Sequence, residues 1–306
     1  MTVLPNRLSG VLCPVVTPFH NDLRPNPDAL IRQCQWLLTQ NVGLAVFGTT
    51  SEANSMSVDE KIGLLDRLVD AGIDPDRIMP GTGCSAFTDT VELTRRAVES
   101  GCAGCLMLPP FYYKDVSDDG LYASYAEVIE RVGNDKLRIY LYHIPPIAQV
   151  GLSVDLIERL VTTYPNTVVG IKDSSGDWEN TRAILERSWD DFRVFAGSER
   201  FLLRNMQHGG AGCISATANV QPAAIDQLFV AWQSDEAVEL QQGLDVVRDI
   251  VEEYPMIPAV KSIVAACSND AGWTTVRPPL VSLKSEQQKG LLEALEQLDF
   301  TMPGIG

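Results

Sequence analysis

Short apolar runs alternate along the chain with longer stretches in which apolar residues recur at helical spacing. The runs occupy residues 11–19, 44–50, 77–83, 104–110, 137–145, 168–175, 193–198 and 212–219. Their side chains are apolar without alternation, which is typical of strands that are buried on both faces of a sheet. The pattern therefore predicts eight buried strands.

Amphipathic helical patterns follow most of these runs. They cover residues 28–40, 58–72, 88–101, 118–133, 153–164 and 177–189, and a shorter one lies near 199–210. Ser57 is a predicted N-cap, because a serine side chain can accept a hydrogen bond from the first turn. Gly101 is a predicted helix stop, because glycine tolerates the left-handed backbone at that position.

Strands that alternate with helices predict parallel βαβ units. Eight units favour a closed (β/α)8 TIM barrel of the α/β class, and an open doubly wound sheet is the alternative. After about residue 220 only helical patterns remain, at residues 221–233, 236–254, 257–267 and 285–298. We therefore predict a catalytic barrel over residues 1–222 and a helical C-terminal domain over residues 223–306.

Composition and charge narrow the possible partners. The chain has 306 residues, 45% of them hydrophobic, which is enough for a large core. Its net charge of −16, without a basic patch, argues against nucleic acid or an anionic membrane surface as a partner. The first residues lack the apolar core of a signal peptide, and no apolar stretch reaches membrane-spanning length. We expect a cytoplasmic protein.

Cysteine and histidine spacing gives little support for a metal site. Seven cysteines, an odd number, argue against a disulfide framework. Cys102 and Cys105 form a single CxxC without a second pair, so core packing is favoured over zinc or redox chemistry. The three histidines show no paired-ligand spacing, which disfavours a metal-dependent barrel hydrolase.

Polar residues at the ends of the apolar runs are the candidate site residues, because barrel active sites lie at the carboxyl ends of the strands. They are Thr17, Gly48, Thr49, Thr50, Ser51, Glu52, Tyr112, Tyr113, Tyr142, His143, Lys172, Asp173, Ser198, Glu199, Ser215 and Thr217.

Lys172 is the most informative candidate, since it ends a run that should be a barrel strand. Burial disfavours the charged form of an amine and so favours the nucleophile that attacks a carbonyl. The alternative is a strand-end lysine that reaches solvent or pairs with Asp173.

Two further features can support such a lysine. Tyr142 ends the neighbouring run, and a phenol can relay protons; the alternative is a core aromatic that alternates with Tyr140. Gly48, Thr49 and Thr50 offer hydroxyl and amide donors to a small carboxylate, or else form an ordinary turn.

Five motifs occur in one order, each at a predicted strand end: GTTSE (48–52), YHIPP (142–146), GIKDSSGD (170–177), AGSE (196–199) and GGAGCISATANV (209–220). Together they resemble the dihydrodipicolinate synthase / N-acetylneuraminate lyase family of class I aldolases, from about residue 8 to the C-terminal helices. The resemblance implies a (β/α)8 barrel with C-terminal helices, a homotetramer built as a dimer of dimers, and no metal or organic cofactor.

The resemblance also implies residue roles. Lys172 corresponds to the Schiff-base lysine and Tyr142 to the proton-relay tyrosine. Thr49 and Thr50 correspond to the hydroxyl pair that binds the pyruvyl carboxylate and continues the relay.

Two more positions carry roles by resemblance. Tyr113 corresponds to a relay tyrosine supplied by a neighbouring subunit, and Tyr112 is a possible substitute because this segment has an extra residue before Ser117. The backbone carbonyl of Ile214 corresponds to the position beside the lysine.

The chain departs from the family pattern where the second substrate binds. Dihydrodipicolinate synthases typically have an arginine at the position of Ile147 and an asparagine at that of His143. An apolar side chain cannot hold the carboxylate of aspartate semialdehyde. Arg200 or Lys114 is a possible replacement for the arginine.

Other residues are candidates for the second substrate. Glu199 falls in the loop where sialate lyases bind sugar hydroxyls, although Arg200 follows it where another acid is expected. Ser198 is a hydroxyl-binding candidate in the same loop. His143 is either a general base near the second substrate or a packing residue.

We therefore predict a Schiff-base lyase that makes or cleaves a carbon–carbon bond in pyruvate or a 2-keto-3-deoxy acid, with a 2-oxo acid and an aldehyde as its small-molecule partners. Within the class, the alternatives are dihydrodipicolinate synthase itself and a dehydratase of 2-keto-3-deoxy sugar acids. Outside it, the alternative is a non-catalytic barrel that binds a 2-oxo acid.

Overall fold

The computed structural model describes residues 7–305 as a parallel sheet surrounded by helices. Residues 1–6, part of the segment expected to lack a signal peptide, and residue 306 lie outside the described residues. The strands are β1 (Gly10–Cys13), β2 (Gly43–Leu44), β3 (Cys105–Met107), β4 (Ile139–His143), β5 (Val168–Asp173), β6 (Arg193–Ala196) and β7 (Gly212–Ile214).

The sheet closes into a barrel through the segment at residues 78–81. The strand order is β2-β1-β7-β6-β5-β4-β3, and isolated parallel bridges join Leu44 to Ile78 and Gly81 to Leu106. Pro80 has no amide hydrogen to donate, which limits regular pairing in this segment. The closed barrel is confirmed, but the third predicted strand closes the ring through single bridges only.

Residues 7–305 contain twelve α-helices, and each corresponds to a predicted helical pattern except a short one at Pro145–Ala148, which the pattern did not predict. Ser57 accepts from the Glu60 amide in a capping box, and Gly101 has a φ of +79° just after a helix end, as expected for both. The helices are α1 (Pro27–Thr39), α2 (Val58–Asp70), α3 (Phe87–Glu99), α4 (Asp118–Val132), α5 (Pro145–Ala148), α6 (Val154–Thr163), α7 (Trp178–Leu185), α8 (Leu202–Gln207), α9 (Pro222–Ala231), α10 (Ala237–Glu252), α11 (Met256–Ser268) and α12 (Ser285–Glu296).

The Tyr140 side chain, on strand β4, fills part of the barrel interior. Its ring packs edge-to-face on Phe195 with centroids 5.9 Å apart, and its hydroxyl accepts from the Leu8 amide at 2.9 Å. A side chain at Gly170 would place its Cβ only 2.6 Å from the Tyr140 ring, so glycine is required there. This interior cluster is separate from the larger core between the strands and the helices.

Two of the C-terminal helices pack against turns that follow the carboxyl ends of strands. Helix α10 contacts the 3-10 turn Glu199–Phe201, and α11 contacts the turn Ala216–Asn219. Helix α9 packs on β1, with the Phe229 ring 3.6 Å from a Cβ built on Gly10. The domain boundary at residue 222 stays a prediction. No helix in residues 7–305 combines the length and apolar character needed to cross a bilayer.

Candidate active site

A cavity of about 470 Å³ opens at the carboxyl ends of the barrel strands. Eight of the residues singled out in the sequence line its wall: Thr49, Thr50, Tyr142, Ile147, Lys172, Asp173, Ser198 and Arg200. Their strands meet at this end of the sheet, which explains why residues more than 100 positions apart converge.

Lys172 and Tyr142 are paired neighbours on the parallel strands β5 and β4. The Lys172 amine donates to the Tyr142 hydroxyl at 3.3 Å, and the two side chains are buried. Asp173 faces a different set of groups, because its carboxylate accepts from Asn180 at 2.9 Å and Thr181 at 2.7 Å. The structure therefore pairs Lys172 with the phenol and not with Asp173.

The Tyr142 hydroxyl continues this chain by donating to the Thr49 hydroxyl at 3.3 Å. An amine, a phenol and an aliphatic hydroxyl thus stand in one hydrogen-bonded line at the cavity wall. Thr50 also lines the cavity, and its hydroxyl has no hydrogen-bond partner among residues 7–305. Gly48 forms the turn before them, since its carbonyl accepts from the amides of Ser51 and Ala53.

A buried ion pair holds the loop that carries the two threonines. The Lys261 amine lies 2.7 Å from the Glu52 carboxylate, and both side chains are fully buried. Lys261 also donates to the Thr17 carbonyl at 2.8 Å, while the Thr17 hydroxyl donates to the Ser51 carbonyl at 2.7 Å. Burial lowers the pKa of Lys261, and the Glu52 carboxylate opposes that shift. Helix α11 is thereby fixed to the threonine loop.

Glu199 is not brought into the cavity. Its side chain is fully buried, and its carboxylate accepts from Ser215, Thr217, Gln221 and Arg248, the last at 2.8 Å. This engagement leaves it no free acceptor toward the cavity. Ser198 does line the cavity, where its hydroxyl accepts from the Arg200 amide at 3.2 Å.

Three charged side chains form the outer wall of the cavity: Arg200, and Arg248 and Glu252 of helix α10. They are linked to one another by ion pairs. Glu252 accepts from Arg248 at 2.8 Å and from Arg200 at 2.9 Å, and Arg200 also donates to Asp249 at 2.6 Å. Burial acts to raise the pKa of Glu252, but the two guanidinium groups hold it below its usual value. Burial acts to lower the pKa of Arg248, but the carboxylates of Glu199 and Glu252 raise it overall. Both groups are therefore charged at neutral pH.

His143 lies outside the cavity wall, on the opposite face of β4 from Tyr142. Its Nδ1 accepts from the Leu152 amide at 2.9 Å, and burial lowers its pKa against the opposing effect of Asp173. This contact corresponds to the packing alternative for His143. Ile147, at the end of α5, lines the cavity and is 62% exposed.

The remaining candidates lie apart from the cavity in this single chain. Tyr112 and Tyr113 pack edge-to-face 5.3 Å apart and are 74% and 75% exposed. Ile214 is fully buried inside the barrel, in the same interior cluster as Tyr142. Lys114 donates to the Ala148 carbonyl at 2.7 Å and does not line the cavity.

Sequence reasoning missed the contributions of Lys261, Arg248 and Glu252, which come from the C-terminal helices. Lys261 carried a usable signal, because it is the single charged residue within the apolar stretch 257–267. Arg248 and Glu252 carried a weaker one, since their spacing of four residues places them on one helix face.

Comparisons with known proteins agree with this architecture. Residues 7–298 match the Dihydrodipicolinate synthetase family. A protein of Chloroflexus aurantiacus described as an uncharacterized DapA-like lyase is 33% identical, over 94% of this chain and 96% of its own. A 4-hydroxy-tetrahydrodipicolinate synthase of Methanococcoides burtonii is 30% identical, over 94% of this chain and 98% of its own. The crystal structure of dihydrodipicolinate synthase from Agrobacterium tumefaciens superposes with a TM-score of 0.87 at 33% identity, covering 94% and 99% of the two chains.

Proposed function

The chain belongs to the dihydrodipicolinate synthetase family of lyases, and from that premise we propose that it is a Schiff-base aldolase in which Lys172 binds the ketone of pyruvate or a 2-keto-3-deoxy acid. The observation that carries the proposal is the buried amine of Lys172, 3.3 Å from the Tyr142 hydroxyl at the end of a barrel strand. A lysine with a phenol as its nearest polar partner is suited to carbonyl addition followed by proton transfer.

The reaction begins when the Lys172 lone pair attacks C2 of the 2-oxo acid. Tyr142 gives a proton to the resulting hydroxyl, which leaves as water, and a protonated imine forms. In the cleavage direction, the C4 hydroxyl loses its proton to Tyr142, the C3–C4 bond breaks toward the imine nitrogen, and an aldehyde leaves. Protonation of the enamine at C3 and addition of water release pyruvate and the free amine. The imine is the electron sink, so the chemistry proceeds without a metal or organic cofactor.

Thr49 and Thr50 bind the carboxylate of the 2-oxo acid in this proposal. Thr49 also passes protons on from Tyr142, a role supported by the 3.3 Å bond between their hydroxyls. The free hydroxyl of Thr50 is available as a donor to the carboxylate.

Dihydrodipicolinate synthase activity is the second candidate, because curated relatives such as the Methanococcoides burtonii protein carry that name. Ile147 argues against it as the main activity. The apolar Ile147 side chain gives the carboxylate of aspartate semialdehyde no charged partner at that position.

We further propose a homotetramer in which Tyr113 of one subunit completes the relay of its neighbour. The exposure of Tyr112 and Tyr113 supports a role for this pair at an interface. Mixing Lys172→Met subunits with Tyr113→Phe subunits tests this arrangement, because active sites that receive both intact residues regain turnover. Recovery with Tyr112→Phe instead of Tyr113→Phe would move the role to Tyr112.

Borohydride reduction in the presence of pyruvate tests the Schiff base. We expect a reduced pyruvyl adduct on the peptide that contains Lys172, found by peptide mass mapping. Lys172→Met removes the adduct and serves as the control for labelling elsewhere. An adduct on Lys261 or Lys284, or no adduct at all, would rule out the proposed role of Lys172.

A further inference from the structure

The cavity extends beyond the reach of the lysine and the threonines, toward the C-terminal helices. Four residues of its wall come from this part of the chain: Arg248, Glu252, Met256 and Ile257. The part of a substrate beyond C4 therefore meets α10 and α11 as well as the barrel loops. If Lys172 binds C2, as the proposed function requires, this outer wall faces the aldehyde half.

The charges of the outer wall are matched among themselves. Three carboxylates, those of Glu199, Glu252 and Asp249, contact the two guanidinium groups of Arg200 and Arg248 at 2.6–2.9 Å. An aldehyde that ends in a carboxylate would find no unpaired positive charge here and would meet Glu252. Ile147 supplies no positive charge from the side of α5.

A hydroxyl group fits this wall better, because it both donates and accepts hydrogen bonds. Glu252 keeps 42% of its side chain exposed and offers lone pairs, while Arg200, at 33%, offers spare N–H groups beside it. Arg248 is only 11% exposed and is held by the buried Glu199, so it fixes the position of Glu252.

We propose that the ion-paired side chains of Arg248, Glu252 and Arg200 bind hydroxyl groups on the aldehyde part of the substrate. Glu252 is the residue that selects hydroxylated aldehydes. This inference rests on the proposed function, because it assumes that the 2-oxo acid is held at Lys172. It assigns substrate selection to a helix of the C-terminal part of the chain.

Condensation of pyruvate with two aldehydes of equal carbon number tests the assignment. Glyceraldehyde has two hydroxyl groups, propanal has none, and succinic semialdehyde probes a terminal carboxylate. We expect kcat/KM for glyceraldehyde, as the better of its two enantiomers, to exceed that for propanal and for succinic semialdehyde. Glu252→Gln and Glu252→Ala should lower the glyceraldehyde-to-propanal ratio about 10-fold, mainly through KM for glyceraldehyde, since a hydrogen bond to a charged group is lost.

Glu253→Gln is the matched control, because Glu253 is exposed next to Glu252 but does not line the cavity. It should leave the ratio within about twofold. Borohydride trapping of pyruvate is measured on every variant, and unchanged trapping shows that the fold and the lysine site are intact.

Two results would overturn the inference while leaving the Schiff base in place: an unchanged ratio in both Glu252 variants, or a wild-type enzyme that prefers propanal or succinic semialdehyde. Loss of trapping in the wild type is a different failure, since it removes the proposed function itself.

Discussion

Lys261 and Glu52 form a fully buried ion pair, with the amine 2.7 Å from the carboxylate, that joins helix α11 to the loop carrying Thr49 and Thr50. The two residues are 209 positions apart in the sequence. The backbone amide of Arg277 donates to the second carboxylate oxygen of Glu52 at 2.8 Å. Because nearly every polar atom of the pair has a partner, removing one member leaves a charge buried alone.

Lys261→Met should lower the free energy of unfolding by about 3–5 kcal/mol, since Glu52 then keeps its charge without a partner. Urea denaturation measures the change. Lys261→Met combined with Glu52→Gln should recover most of the loss, because the buried charge is then gone. A single variant within about 1 kcal/mol of wild type would mean that the pair contributes little.

Tyr142→Phe should keep the fold and lower turnover by about 10²–10⁴-fold, because the phenyl ring fills the same space without a proton to transfer. Circular dichroism and steady-state kinetics on one preparation separate the two effects. Thr49→Val should also lower kcat, since it removes the hydroxyl that accepts from Tyr142. A loss of less than about threefold in Tyr142→Phe would make Tyr142 a packing residue only.

His143→Asn should make stability less dependent on pH in the acid range. The pKa of His143 is held below its ordinary 6.5 in the folded state, so below pH 6.5 the unfolded chain takes up a proton that the folded chain resists. The stability from this histidine is therefore complete above pH 6.5 and falls as the pH drops to the folded pKa, by up to about 1.4 kcal/mol per pH unit.

Asparagine can still accept from the Leu152 amide but does not titrate in this range, which makes it the suitable replacement. Thermal unfolding between pH 7 and pH 5 measures the difference. Parallel pH profiles for wild type and variant would contradict the role assigned to His143.

Ile147→Arg should improve the use of aspartate semialdehyde, which we expect the wild-type enzyme to condense weakly with pyruvate. A guanidinium at this position of the cavity wall can pair with the carboxylate, and such contacts contribute about 1.5–3 kcal/mol, or roughly 10–150-fold in affinity. The measurement is kcat/KM for aspartate semialdehyde, with Ile147→Met as the uncharged control. Efficient wild-type use of this aldehyde would show that another basic group reaches its carboxylate.

The barrel and the lysine–tyrosine pair were predictable because they depend on local pattern. Each strand is a short apolar run with a polar end, and the carboxyl ends of all such strands must meet at one face. Lys172 and Tyr142 could therefore be placed together from their positions alone. The segment at 77–83 was predicted as a full strand but forms only isolated bridges. Pro80 limits its backbone pairing, and the apolar pattern used for the prediction is not sensitive to this effect.

The outer part of the site was not predictable in the same way. Glu199 follows a strand as expected, but the 3-10 turn that begins at this residue directs its carboxylate toward Ser215 and Arg248 and away from the cavity. Glu252 enters the wall only through the packing of α10 on that turn. Such contacts depend on how elements that are distant in sequence pack together, and the hydrophobic periodicity of the sequence does not predict that packing.

Tyr140, lodged against Gly170, also has a consequence for the order of events in catalysis. Its ring lies two residues earlier along β4 than Tyr142 and separates the lysine from the lower end of the barrel. If Lys172 forms the proposed imine, both substrates must enter and leave through the cavity at the carboxyl ends of the strands. The fragment bound to Lys172 would then lie deeper than the aldehyde. In cleavage the aldehyde would leave before pyruvate, and in synthesis pyruvate would have to bind first. A barrel that is filled below the lysine is therefore consistent with an ordered kinetic mechanism.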